Sequence, residues 1–266
     1  MKAALAYEWI RLRTLRSTWW MLGISLIVTA LLTLAFSGLI LDLQAASGQG
    51  VSGTEAFIVV LTRSVLTPVV AGLIGVFAIA HDLRYGTIVT TLLVTPRRIV
   101  ALAAKALVVS SAAATLALAN LAVAWVAGLV VLRDRVSMDL ALYDLVRAQL
   151  GFVLLVVGWS LIGLAFGATL LSQPASISAL LVIPFLVEPT VRLFLASSSI
   201  NVVRELAMFL PFAAGNAMLS GAEATTSALL GDSSSGLGPV AGGAVFLIFV
   251  TVLVFGAMAS FRERDV

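Results

Sequence analysis

Six apolar stretches, each long enough to cross a bilayer, dominate this sequence: residues 18–41, 56–80, 99–132, 149–171, 175–196 and 240–261. A spanning helix takes about 20 consecutive, mostly apolar residues. The bilayer interior offers a backbone no partner but itself, so each stretch is expected to be helical. The chain therefore reads as all-α and polytopic, with six transmembrane helices in a single membrane domain over 1–266. Composition points the same way. Of 266 residues, 61% are hydrophobic and only 11% charged, too few polar side chains to cover a water-soluble surface. The first apolar run is longer than the core of a secretory leader and is expected to be a retained helix.

Two runs carry charges that need placing. The third is too long for one crossing and too short for two with a turn. Its helix is expected to begin before the membrane, with Lys105 snorkelling to the near face. Arg63, eight residues into the second run, is expected at a depth from which it reaches the opposite headgroups. If six helices alternate, ten of the basic residues fall on one side: Lys2, Arg11, Arg13, Arg16, Arg84, Arg97, Arg98, Lys105, Arg262 and Arg264. The other side holds six: Arg63, Arg133, Arg135, Arg147, Arg192 and Arg204. The positive-inside bias then predicts both termini in the cytoplasm, with Trp19 and Trp20 in the inner aromatic belt.

The connections differ in character. Between the second and third runs, Gly86 permits a turn and Thr87 can cap a short helix through Val94. Thr95-Pro96 is a second start signal. Ile88 and Leu92, like Val89 and Leu93, sit one turn apart and give this short helix an apolar face. It either lies on the headgroups or acts as a peg for a cytoplasmic partner. Residues 2–17 read as a basic helix in which Glu8 and Arg11 can pair at i,i+3, serving membrane anchoring or partner docking. On the other side, 42–55 is a short polar loop and 133–148 is expected as a solvated one. In the stretch 197–239, Val203, Leu206, Ala207 and Leu210 share a helical face before Pro211, which predicts short helices dipping towards the membrane.

Catalytic patterns are scarce. No Gly-x-x-x-x-Gly-Lys-[Ser/Thr] loop occurs, so the chain has no Walker A site for ATP. No Gly-x-Ser-x-Gly elbow occurs, there is no cysteine, and His81 is the single histidine. Tyr143-Asp144 has no second half to make an intramembrane aspartyl protease. The chain is not expected to be an enzyme or to bind nucleic acid or metal. Glu188 and Arg192 stand four apart in the fifth run, framed by Pro184 and Pro189. A pair inside a span is expected either to lock a kinked helix or to form a gate. Gly163 and Gly167 form a Gly-x-x-x-Gly that permits close helix packing.

In its ordered features the chain resembles the permease subunits of ABC-2-type ABC transporters, notably the small six-helix ones of actinobacteria. The resemblance runs through Glu8-Trp9 with Arg11, Arg13 and Arg16 ahead of Trp19-Trp20. It continues in Ala80-His81-Asp82-Leu83-Arg84-Tyr85-Gly86-Thr87, in Thr95-Pro96-Arg97-Arg98 with Lys105, and in the closing Phe261-Arg262-Glu263-Arg264-Asp265-Val266. Family members usually carry Glu where this chain has Asp82, a shorter side chain of the same charge. The resemblance implies a second permease chain, as homo- or heterodimer, and a separate ATPase subunit that binds ATP and Mg. It also implies ATPase-coupling surfaces built from Glu8, Arg11, Asp82, Arg84, Gly86, Thr87, Ile88, Leu92, Pro96, Arg97 and Arg98. A hydrophobic or amphiphilic substrate (drug, antibiotic, peptide or lipid) exported across a bacterial cytoplasmic membrane completes the expectation. An autonomous secondary transporter or channel, and a non-transporting scaffold or immunity protein, are the competing readings.

Overall fold

The computed structural model describes residues 2–14, 16–47, 53–62, 64–84, 98–132, 141–198, 200–219 and 237–263. All regular structure among them is helical: α1 Lys2–Thr14, α2 Arg16–Ser47, α3 Gly53–Thr62, α4 Leu66–Arg84, α5 Arg98–Leu132, α6 Leu142–Leu170, α7 Gln173–Ala196, α8 Asn201–Leu206, α9 Pro211–Ala217 and α10 Pro239–Glu263. Six segments are long and apolar enough to cross a membrane.

The second apolar run is not one helix but two. α3 ends at Thr62, Ser64 and Val65 are non-helical, and α4 starts at Leu66. Arg63 itself lies outside the described residues. Its neighbour Ser64 lies against Thr29, about 20 Å along α2 from Arg16 at 1.5 Å per residue. The third run is a single helix of 35 residues, about 52 Å long. α6 starts at Leu142, inside the stretch expected as a solvated loop. Asp144 sits in its first turn, where the helix dipole favours an acid, and pairs with Arg147 at 3.4 Å. Both features favour the helix over a loop here.

α3, α4 and α6 form the buried centre. Phe57, Leu61, Ile74, Leu116 and Phe152 interlock in one core cluster, and Trp159, Leu180, Phe212 and Phe246 in a second. α4 and α6 approach so closely that a Cβ on Gly75 would collide with the Ser160 carbonyl, and one on Gly163 with the Gly72 carbonyl. Only glycine allows backbones to meet at that distance. Gly167, the other half of the sequence motif, faces the Val76 carbonyl in the same crossing. α2, α7 and α10 stand outside this centre and expose Ile27, Leu31, Leu186, Phe194, Ile248 and Phe255. A surface of that kind suits acyl chains rather than water.

Leu171, at φ 49°, takes the left-handed conformation that ends α6 and turns the chain into α7. Within α7 the turn Ile183–Val187 is a π-helix. Pro184 has no N–H to give and crowds the preceding turn, so the helix widens there rather than breaking.

Candidate functional site

At one end of the bundle four charged side chains meet. Arg11 on α1 reaches Asp82 near the end of α4 at 2.6 Å and Glu8, one turn back, at 3.6 Å. Lys105 on α5 reaches Glu8 at 2.5 Å and Asp82 at 2.7 Å. Among the described residues two acids thus face two bases, and their charges balance. Glu8, Asp82 and Lys105 are buried, and Arg11 is only partly exposed. Charges this far from water are held by mutual pairing or not at all. Lys105 therefore turns inward to two carboxylates instead of snorkelling outward. Phe77 stacks on His81 at 5.0 Å beside the cluster. A cavity of about 30 Å³, the room of a single water molecule, lies between Arg11, Ser17, His81 and Lys105.

The cluster ties α1, a helix with no apolar stripe of its own, to the ends of the two helices that flank residues 85–97. Glu8, Arg11 and Asp82, singled out from sequence, thus converge on one point. Glu8 with Arg11 was legible from the i,i+3 spacing. Lys105 belongs with them, and the signal was available: acids and a lysine near the same ends of apolar runs, in balancing numbers. Arg84 and Arg98 are helical at the ends of α4 and α5, but their side chains lie outside the described residues. So do Gly86, Thr87, Ile88, Leu92, Pro96 and Arg97, and with them the expected short helix.

Deeper in the bundle, polar side chains gather at the α3–α4 break. Thr29 Oγ1 donates to Asn120 Oδ1 at 2.5 Å and lies 2.9 Å from Ser64 Oγ, which lies 2.7 Å from Thr67 Oγ1. Because Thr29 gives its proton to Asn120, Ser64 donates to Thr29 and Thr67 to Ser64. Ser25 adds a longer bond to the same Asn120 oxygen, and Asn120 Nδ2 donates to the Leu116 carbonyl. All five side chains are buried. Ser25, Thr29, Thr33 and Ser37 form an inward hydroxyl stripe on α2, while Ile24, Ile27, Leu31 and Leu34 point out. Sequence reasoning missed this network. Its signal was hydroxyls recurring every fourth residue in an otherwise apolar run.

Compared with known protein families, the chain matches no family model, and no curated protein matches it.

Glu188 takes a role the i,i+4 spacing does not reveal. Its two carboxylate oxygens accept the backbone N–H groups of Phe212 at 3.0 Å and Ala213 at 2.5 Å. These are free donors in the first turn of α9, whose N-cap residue, Leu210, has no side-chain acceptor. Arg192 stands one turn further along α7. Phe212 stacks edge-on against Trp159 at 5.2 Å, so α9 starts beside the middle of α6 and runs back towards Gly151, where Met218 packs. Among the described residues no three His, Asp or Glu side chains gather as a metal site.

Proposed function

We propose that this chain is the membrane-spanning permease subunit of an ATP-driven transporter of the ABC-2 type. The observation that supports this reading best is the neutral ion cluster of Glu8, Arg11, Asp82 and Lys105. It welds an N-terminal helix to the two helix ends from which residues 85–97 depart. A force applied to that connection reaches α1, α4 and α5 together. In this reading residues 87–94 form a coupling helix between Gly86-Thr87 and Thr95-Pro96. Ile88 and Leu92 enter the ATPase, and Arg84, Arg97 and Arg98 seat it. Glu8, Arg11 and Asp82 then serve coupling by holding the helices in register rather than by touching the partner.

Six crossings supply half of a twelve-helix pathway, so a second permease chain completes it. ATP and Mg bind on the separate ATPase, whose closure switches access through rigid-body motion. The permease sits in a bacterial cytoplasmic membrane with both termini and the coupling helix on the cytoplasmic side, and exports a hydrophobic or amphiphilic substrate. In this reading α8 and α9 are short helices of the outer side, α9 dipping to the level of Trp159 on α6. Affinity purification of the tagged chain from its native membrane in mild detergent, followed by mass spectrometry, tests the reading. A stoichiometric ATPase is the expected companion, and Leu92→Asp is expected to remove it while leaving the permease inserted. A chain that purifies alone refutes the proposal.

One observation favours a second reading. A helix interrupted at mid-bundle and lined by hydroxyls is a common way to build an ion-coupled secondary transporter. Uptake driven by an ion gradient in ATP-free liposomes would support that alternative.

A further inference from the structure

The end of α1 at Thr14 and the start of α2 at Arg16 make up an α1–α2 elbow. Trp19 Nε1 donates to the Arg13 carbonyl at 2.9 Å, which links the start of α2 to the end of α1. The inner face of α1 is consumed by the ion cluster. What remains exposed is unusual in its mixture. Trp9 and Ile10 on α1, and Trp19 and Trp20 on α2, are each about half or more exposed, Trp20 at 73%. Arg13 and Arg16 are exposed between them.

The two arginines are also uncommitted. Arg11 is engaged by Asp82 and Glu8, but Arg13 and Arg16 make no ion pair among the described residues. No exposed acid lies near them on either helix; the acid of α1 is Glu8, which is buried, and the acid of α2 is Asp42, towards its far end. Four large apolar side chains do not suit water, and two cations do not suit acyl chains. The combination matches the layer where acyl chains end and headgroups begin.

We propose that the α1–α2 elbow is a binding surface for anionic phospholipid headgroups, with Arg13 and Arg16 on the phosphates and Trp9, Trp19 and Trp20 at the level of the glycerol. A guanidinium offers a phosphate two parallel hydrogen bonds. A zwitterionic headgroup brings its own cation and so gains less from the arginines, which is the source of selectivity. The ion cluster passes the consequence inward, since a headgroup that holds the elbow also holds α1 against α4 and α5. The inference rests on the six apolar helices lying in a bilayer and is independent of any ATPase partner.

Substituting Trp125→Phe and Trp159→Phe in the full chain leaves Trp9, Trp19 and Trp20 as the only tryptophan emitters. This protein is reconstituted in phosphatidylcholine bilayers doped with brominated phosphatidylglycerol or, separately, brominated phosphatidylcholine. Stronger quenching by the phosphatidylglycerol at low salt is expected, falling as salt is raised. Each arginine contributes about a five-fold preference. Arg13→Gln/Arg16→Gln should abolish the preference and either single substitution should remove part of it, so failure of the double variant to fold does not end the test. Equal quenching by the two lipids, or a preference that survives both substitutions, overturns the proposal. If the double substitution instead removes a co-purifying ATPase and leaves the lipid preference intact, the elbow is a protein-docking face and the proposal is likewise overturned.

Discussion

Lys105→Met removes one charge from a buried cluster of four, and its cost can be worked from the contacts. Lys105 makes two of the four ion contacts, at 2.5 and 2.7 Å. Methionine fills similar space without the charge. Among the described residues, Glu8 and Asp82 are then left with Arg11 as their ion partner, and the balance of charge shifts to negative out of water. Breaking a buried pair from one side costs about 3–5 kcal/mol. The same energy is not lost when the charge count is rebalanced. Lys105→Met/Asp82→Asn leaves Glu8 with Arg11, already in contact at 3.6 Å, and is expected to recover more than half of the loss. Unfolding of the purified chain in mixed micelles of dodecyl maltoside and increasing dodecyl sulfate, followed by circular dichroism, reads both numbers. The double-mutant cycle should give a coupling well above the few tenths of a kcal/mol seen between independent sites. A single variant within about 0.5 kcal/mol of the parent, or a double variant no better than the single, refutes the view that the cluster is a mutually dependent neutral unit.

Three further substitutions test other parts of the structure. Asn120→Leu removes the acceptor at the end of the hydroxyl chain, at an expected cost of about 1–2 kcal/mol in the same unfolding assay; no change would place the network outside the fold's stability. Gly163→Val sets side-chain carbons against the Gly72 carbonyl and should abolish a monodisperse gel-filtration peak, whereas Gly256→Ala, with nothing within 4 Å of the added Cβ, should leave it intact. Glu188→Ala leaves the Phe212 and Ala213 N–H groups without their acceptor and should destabilise by about 1–2 kcal/mol, with Glu188→Gln recovering part of that through its one carbonyl oxygen; equal loss in both would point to charge rather than capping.

Much of the architecture was legible because the bilayer imposes a length rule on apolar runs, and a run of some 20 residues is hard to misread. Interruptions within a run are another matter. Nothing local to Ser64 says that the helix is interrupted there or that its side chain meets Thr29 and Thr67 inside the bundle. The start of α6 was hidden for the opposite reason: Asp144 and Arg147 look like loop residues until they pair across a helical turn. The ion cluster was half visible. Glu8 and Arg11 are neighbours on one helix, but Asp82 and Lys105 reach them only through tertiary packing, which no periodicity encodes. Glu188 shows the limit of spacing rules most clearly. The four-residue interval to Arg192 is real, yet the carboxylate is occupied by the backbone of a segment more than 20 residues further on.

The crossing of α4 and α6 sets what can move. Where two backbones touch through Gly72, Gly75, Ser160 and Gly163, no layer of side chains lies between them to deform. Sliding one past the other would drive carbonyl oxygens into backbone atoms. The pair therefore moves as one rigid spine, and any change of shape in this protein has to be borne where the other helices meet it, about an axis that does not itself bend.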